Sequence, residues 1–217
     1  MKSEPRRRVS LPSMETLGRL SLVLLIAELV LILLSWILSA TMIEGVRSLL
    51  SGEGMRWFFG RFAEMIASPL LAWLVLLLIA VGCLVSSGLS SALSHLVFRA
   101  ASPAPRLNYR DRLALRLSLA FLLVYVVVIL LLTAMPHAVL LSATGSLFPS
   151  AFSDGLVPAL SFGLVVVSIA YGVMSGRFHT LADILESLSV GIRGGAPFFL
   201  LYVLLIQLYE SLWFVFG

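Results

Sequence analysis

From Leu17 to Ala40 the chain reads LGRLSLVLLIAELVLILLSWILSA, an apolar run whose interior holds one carboxylate, Glu28. A run of about 20 apolar residues is what a helix needs to cross a hydrocarbon core roughly 30 Å thick. Four more runs of this kind follow, at about 69–98, 113–135, 156–174 and 196–216. In lipid every backbone polar group needs an internal partner, so each run is read as a helix, including the β-branched VYVVVILLLT of the third. Composition agrees: 60% of the 217 residues are hydrophobic and 12% charged, against about a quarter charged in ordinary globular chains.

The net charge of +4 could suggest nucleic acid, but the arginines sit at the ends of apolar runs. That placement reads as membrane orientation. With the N-terminus inside, Lys2, Arg6, Arg7, Arg8, Arg19, Arg99, Arg106, Arg110, Arg112, Arg116, Arg177 and Arg193 face the inner side. Arg47, Arg56 and Arg61 face the outer side. This bias predicts a cytoplasmic N-terminus and an external C-terminus. Residues 1–16 form a basic tail and 17–217 a single transmembrane domain. The first run exceeds the usual signal-peptide core and no small-x-small cleavage site follows it, so it is retained as a span.

Two segments have a different period. Met55, Phe58, Phe59, Phe62, Met65 and Ile66 share one helical stripe, with Arg56, Gly60, Arg61 and Glu64 opposite. Leu181, Ile184, Leu185, Leu188 and Ile192 repeat the pattern after Thr180, which forms a capping-box-like pair with Asp183. Both segments, about 51–66 and 180–192, are read as interfacial amphipathic helices. Ser68-Pro69 ends the first, and Gly194, Gly195 and Pro197 are expected to break the second from the last span. The predicted fold is therefore all-α: five transmembrane helices and two interfacial ones.

Span, interfacial helix and proline-started span occur twice, and ASPLLAWLVLLL (67–78) resembles GAPFFLLYVLLI (195–206). With one span between them the two units would form an inverted repeat, a transporter feature. Chance likeness of two apolar helices after proline is the alternative. Small residues four apart, Gly82, Ser86 and Ser90, then Ser168, Gly172 and Gly176, mark close helix packing.

A carboxylate inside hydrocarbon costs several kcal/mol, about 2.5–3.5 on insertion scales, so Glu28 and Glu210 are expected to face protein. Glu28 and Gln207 lie about eleven residues, roughly 16 Å, from their inner helix ends and could meet if the first and last spans are neighbours. The functional reading of Glu28, Gln207 and Glu210 is a substrate- or ion-binding group. The plain reading is a neutral glutamic acid hydrogen-bonded between helices. His95, His137 and His179 are read as solvated, since in this topology they form no metal cluster unless two inner-face histidines converge. The lone Cys83 sits in an apolar run as a buried thiol. Trp36, Trp57, Trp73 and Trp213 lie near span ends as interface anchors. With no P-loop, dinucleotide fingerprint or nucleophile elbow, no enzyme activity, cofactor or metal is expected.

Three motifs, LLSGEGMRWF (49–58), SLFPSAFSDGLVPAL (146–160) and SIAYGVMSG (168–176), resemble segments of the p-aminobenzoyl-glutamate transporter family, AbgT. Gln207 falls where that family often has glutamine. The resemblance implies a bacterial inner-membrane transporter of p-aminobenzoyl-glutamate or of sulfonamide-like antimetabolites. It also implies a homo-oligomer, dimeric or higher, in the lipid bilayer. The chain departs from the family in length: the re-entrant hairpins and the Ser-Ser-Asp-like motif have no counterpart. The alternative is a non-transporting scaffold or accessory subunit, with a second membrane subunit as its partner. Nucleic acid is not expected as a partner.

Overall fold

The computed structural model describes residues 14–41, 45–97, 108–134 and 151–217. Seven helices account for almost all of them: α1 (Met14–Ala40), α2 (Gly52–Ile66), α3 (Pro69–Ser87), α4 (Leu89–Val97), α5 (Tyr109–Ala134), α6 (Ala151–Ser175) and α7 (Leu181–Phe216). The described residues contain no strand. Among the described residues five segments are long and apolar enough to cross a bilayer, as the runs require. Most of the basic tail, His137 and much of the loops expected near 99–112 and 136–155 lie outside the described residues.

The distribution of polarity is that of a protein dissolved in lipid. Large apolar side chains point outward all along the spans, with Leu123 67% and Leu29 54% exposed. Apart from Tyr171, the buried hydroxyl-bearing side chains among the described residues are serines: Ser35, Ser48, Ser87, Ser118, Ser161, Ser168, Ser187 and Ser211. A serine hydroxyl is small enough for a tight helix contact and can bond to its own helix. Ser118, for instance, donates to the Ala114 carbonyl at 2.8 Å. The chain is a multi-span integral membrane protein.

Helix ends within the runs are set by particular residues. The second span runs from Pro69 to Ser87, and the run goes on toward residue 98 as a separate short helix of small residues. The break is at Gly88, whose φ of +74° separates α3 from α4. The Arg177 side chain fills the space a β-carbon on Gly88 would need, and its Nη1 donates to the Ser87 carbonyl at 3.0 Å. Gly88→Ala therefore meets both a left-handed backbone cost of about 1–2 kcal/mol and a displaced guanidinium. We expect it to lower the thermal unfolding temperature in detergent. In an Arg177→Ala background the loss should shrink to the backbone part, and an unchanged loss would remove Arg177 from the explanation.

An expected boundary is corrected in residues 180–216. Gly194, Gly195 and Pro197 do not break a helix there: α7 is continuous from Leu181 to Phe216. Proline removes one backbone bond, to the Arg193 carbonyl, and membrane helices tolerate this. Gly195 is held in place by packing, since a β-carbon there would lie 2.5 Å from the Leu78 methyls. At Pro69 the outcome differs. Ala67 leaves the helix at ψ 41°, and the freed Ile66 carbonyl accepts a hydrogen bond from Tyr202 Oη at 2.8 Å. A further end differs: α6 starts at Ala151 rather than near 156, which places Pro158 inside the helix.

The described helices group into two compact units, Met1–Leu71 with Ala196–Gly217, and Ala72–Gly195. In the second unit Leu89, Ala92, Ala114, Leu115, Val167 and Tyr171 form the core. Gly82 on α3 meets Gly191 on α7 there, and the Ser187 hydroxyl donates to the Cys83 sulfur at 3.6 Å. Cys83 is buried, as its apolar setting requires. The α6 C-terminus closes with Gly176 at φ +76°. Arg177 and Phe178 amides both bond to the Gly172 carbonyl, at 2.8 and 3.0 Å, a glycine-dependent cap. Arg110 Nε adds a bond to the Met174 carbonyl at 3.2 Å.

Candidate functional site

The first unit gathers α1, the 45–51 turn, α2 and the part of α7 that begins at Ala196. Ser35 fixes the turn: its hydroxyl donates to the Ile32 carbonyl at 2.8 Å and accepts from the Leu49 amide at 3.2 Å. Ser51 then caps α2, accepting from the Gly54 amide at 3.0 Å. Gly54 lies so close to the turn that a β-carbon would stand 2.5 Å from the Ser48 and Leu49 carbonyl oxygens. The Ser-Gly-Glu-Gly segment thus has a local structural task. It aims the aromatic stripe of α2 back at α1.

That stripe meets Glu28. The Ser211 hydroxyl on α7 donates to Glu28 Oε1 at 2.7 Å, and Gln207 Nε2, one turn earlier, donates to Ser211 Oγ at 3.1 Å. Glu28 Oε2 is buried and has no hydrogen-bond partner among the described residues. Beside it is a cavity of about 170 Å³, lined by Glu28, Met55, Phe58, Phe59 and aliphatic neighbours. Phe59 is 77% exposed, so the stripe is shared between this cavity and the surroundings.

Of the residues singled out in the sequence, Glu28 and Gln207 are brought together, but through Ser211, which the sequence patterns do not single out. A weak signal for it exists: Gln207 and Ser211 are four apart and share a helix face. Glu210 is half-buried on a neighbouring face and takes no part in the contact. Among the packing residues, Gly82 lies at a helix crossing, Gly172 against the Phe178 ring and Gly176 against the Arg110 guanidinium. Ser168 is fully buried, and Ser86 and Ser90 are half-buried. Thr180 and Asp183 form the expected reciprocal cap. The Asp183 carboxylate accepts from the Thr180 amide at 2.9 Å, and the Thr180 hydroxyl from the Asp183 amide at 3.2 Å.

The second unit holds a larger cavity of about 490 Å³ between α4, α5 and α6. Its lining is almost wholly aliphatic and aromatic, with Ser118 and Tyr125 the hydroxyl-bearing members. Both hydroxyls are engaged: Tyr125 donates to the Ala159 carbonyl at 2.7 Å, and Ser118 to its own helix. That leaves little to orient a polar ligand. No group of three or more His, Cys, Asp or Glu able to hold a metal occurs among the described residues. Comparison with protein-family models, curated proteins and solved structures finds no match.

Proposed function

We propose that the protein is a small membrane transporter in which Glu28 carries an exchangeable proton. The observation that supports this is the Glu28 carboxyl itself, with one oxygen held by Ser211 and the other buried, without a partner among the described residues, beside an aromatic-lined cavity. A carboxyl in this setting is costly when charged and unpaired. Neutral, it can donate to a ligand. The resemblance to the AbgT family supplies the substrate class, a small aromatic or folate-related anion. Such an anion and an ionised Glu28 repel each other in a low-dielectric cavity, so the anion would bind to the protonated form and the two would move together.

The setting would be a bacterial inner membrane, with the protein as a homo-oligomer, N-terminus inside and C-terminus outside. Protein reconstituted in liposomes should accumulate labelled p-aminobenzoyl-glutamate under an imposed pH gradient, and Glu28→Gln should abolish the gradient-driven part. Equal uptake by both proteins would overturn the coupling role. A reporter active only outside the membrane, fused after Gly217, should be active, and an inactive one would reverse the orientation.

The second reading, a scaffold or accessory subunit, is favoured by the form of the same contact. Ser211 joining Glu28 to α7 is also what helix association alone would use. Stable co-purification with another membrane protein, without thermal stabilisation by p-aminobenzoyl-glutamate, would favour it.

A further inference from the structure

A second cavity lies in the first unit, where the 45–61 region meets the end of α7. It measures about 380 Å³ and is lined by Arg47, Glu53, Trp57, Arg61, Trp213 and Phe214, with Gly217 at its rim. Its walls are built rather than incidental. The Arg47 amide donates to the Val215 carbonyl at 3.1 Å. The Arg47 guanidinium sits 5.9 Å from the centre of the Phe214 ring. Trp57 stacks on that same ring, with centroids 4.4 Å apart and planes 25° from parallel. Phe214 and Val215 belong to the buried cluster with Leu31 and Leu49, so this wall is anchored in the unit's interior.

Charge and aromatic placement give the cavity a chemistry. Among the described residues neither Arg47 nor Arg61 has a carboxylate within ion-pair distance. Two arginines line the space together with the Glu53 side chain and Gly217. Arginine presents a planar fork of donors that matches a phosphate oxygen pair. Trp213 is 68% exposed at the last turn of a span, the level at which indole rings sit among lipid headgroups. We infer that this cavity binds the phosphate of an anionic phospholipid headgroup, held by Arg47 and Arg61 with the tryptophans bordering it. The site is separate from Glu28 and does not depend on the transport reading.

The test uses the full chain purified in detergent and exchanged into nanodiscs of phosphatidylcholine with a minor fraction of phosphatidylglycerol. Native mass spectrometry then reads the retained lipid. Phosphatidylglycerol should be retained over phosphatidylcholine, and Arg47→Gln and Arg61→Gln should each reduce that preference about fivefold, the usual worth of one basic residue at an anionic surface. Arg193→Gln changes charge equally outside the cavity and should leave it unchanged. Glu53→Gln removes the opposing carboxylate and should raise retention, a gain that misfolding does not imitate. Glycerol phosphate added to the wild type separates the sources: no displacement at millimolar concentration supports the lipid, whereas displacement shows that a free phosphate ester occupies the site and overturns the headgroup assignment. Equal loss in all three arginine variants, or no preference in the wild type, would also overturn it.

Discussion

Replacing Gly191 with leucine is expected to prevent the second unit from assembling, leaving little monodisperse protein after detergent extraction. A β-carbon on Gly191 would overlap the Leu78 carbonyl oxygen, and one on Gly82 would overlap the Gly191 backbone. Both obstructions are main-chain atoms, which cannot swing aside as the end of a flexible side chain can. Overpacking usually costs about 1–3 kcal/mol where side chains can adjust, so the cost here should exceed about 3 kcal/mol. In lipid the loss is not offset elsewhere, because close backbone approach is itself a main source of helix association. Gly194 lies on the same helix, and a β-carbon added to it would meet nothing within 4 Å. Gly194→Leu should therefore unfold thermally like the wild type. Equal behaviour of the two variants would show that the α3–α7 crossing does not hold the unit together.

The second large effect concerns Glu28. Glutamine keeps the shape and can still accept the Ser211 hydroxyl through its carbonyl oxygen, but it has no proton to exchange. On the proposed reading, Glu28→Gln should therefore retain the wild-type unfolding temperature while losing all pH-gradient-driven transport. Ser211→Ala should do the reverse in kind. It leaves Glu28 Oε1 without its donor at a cost of about 1–3 kcal/mol, so stability falls while the carboxyl remains. A contact serving helix association alone would give a different pattern, with both variants acting on stability and neither on a proton-coupled rate.

Most of the fold is legible in the sequence because lipid simplifies the reading. Where water is absent, a long apolar run has one stable solution, and α1, α5 and α6 follow the runs to within a few residues at most ends. What is not legible depends on neighbours distant in sequence. Gly88 looks like any glycine in an apolar run, and nothing local says that Arg177 will occupy its missing side-chain space. Pro197 carries the same signal as Pro69, yet α7 continues through one and the helix path breaks at the other. Gly191 belongs to a series with Ser187 and Gly195 at four-residue spacing, a packing signal obscured when the nearby glycines are read as breakers. At the candidate site Glu28 stands out because a carboxylate in hydrocarbon is conspicuous. Ser211 does not, because serines are common in packed membrane helices and only the fold shows which one meets a carboxyl.

Whether Glu28 gains and loses a proton in the membrane is the central question for function. Infrared difference spectra of the reconstituted protein across a pH series, wild type against Glu28→Gln, observe that event directly. The expected result is a protonated-carboxyl band, absent from the Glu28→Gln protein, whose intensity falls as pH rises through the range where transport changes. A Glu28 band that stays constant through that range would contradict proton exchange and leave the residue as a fixed hydrogen-bond partner of Ser211.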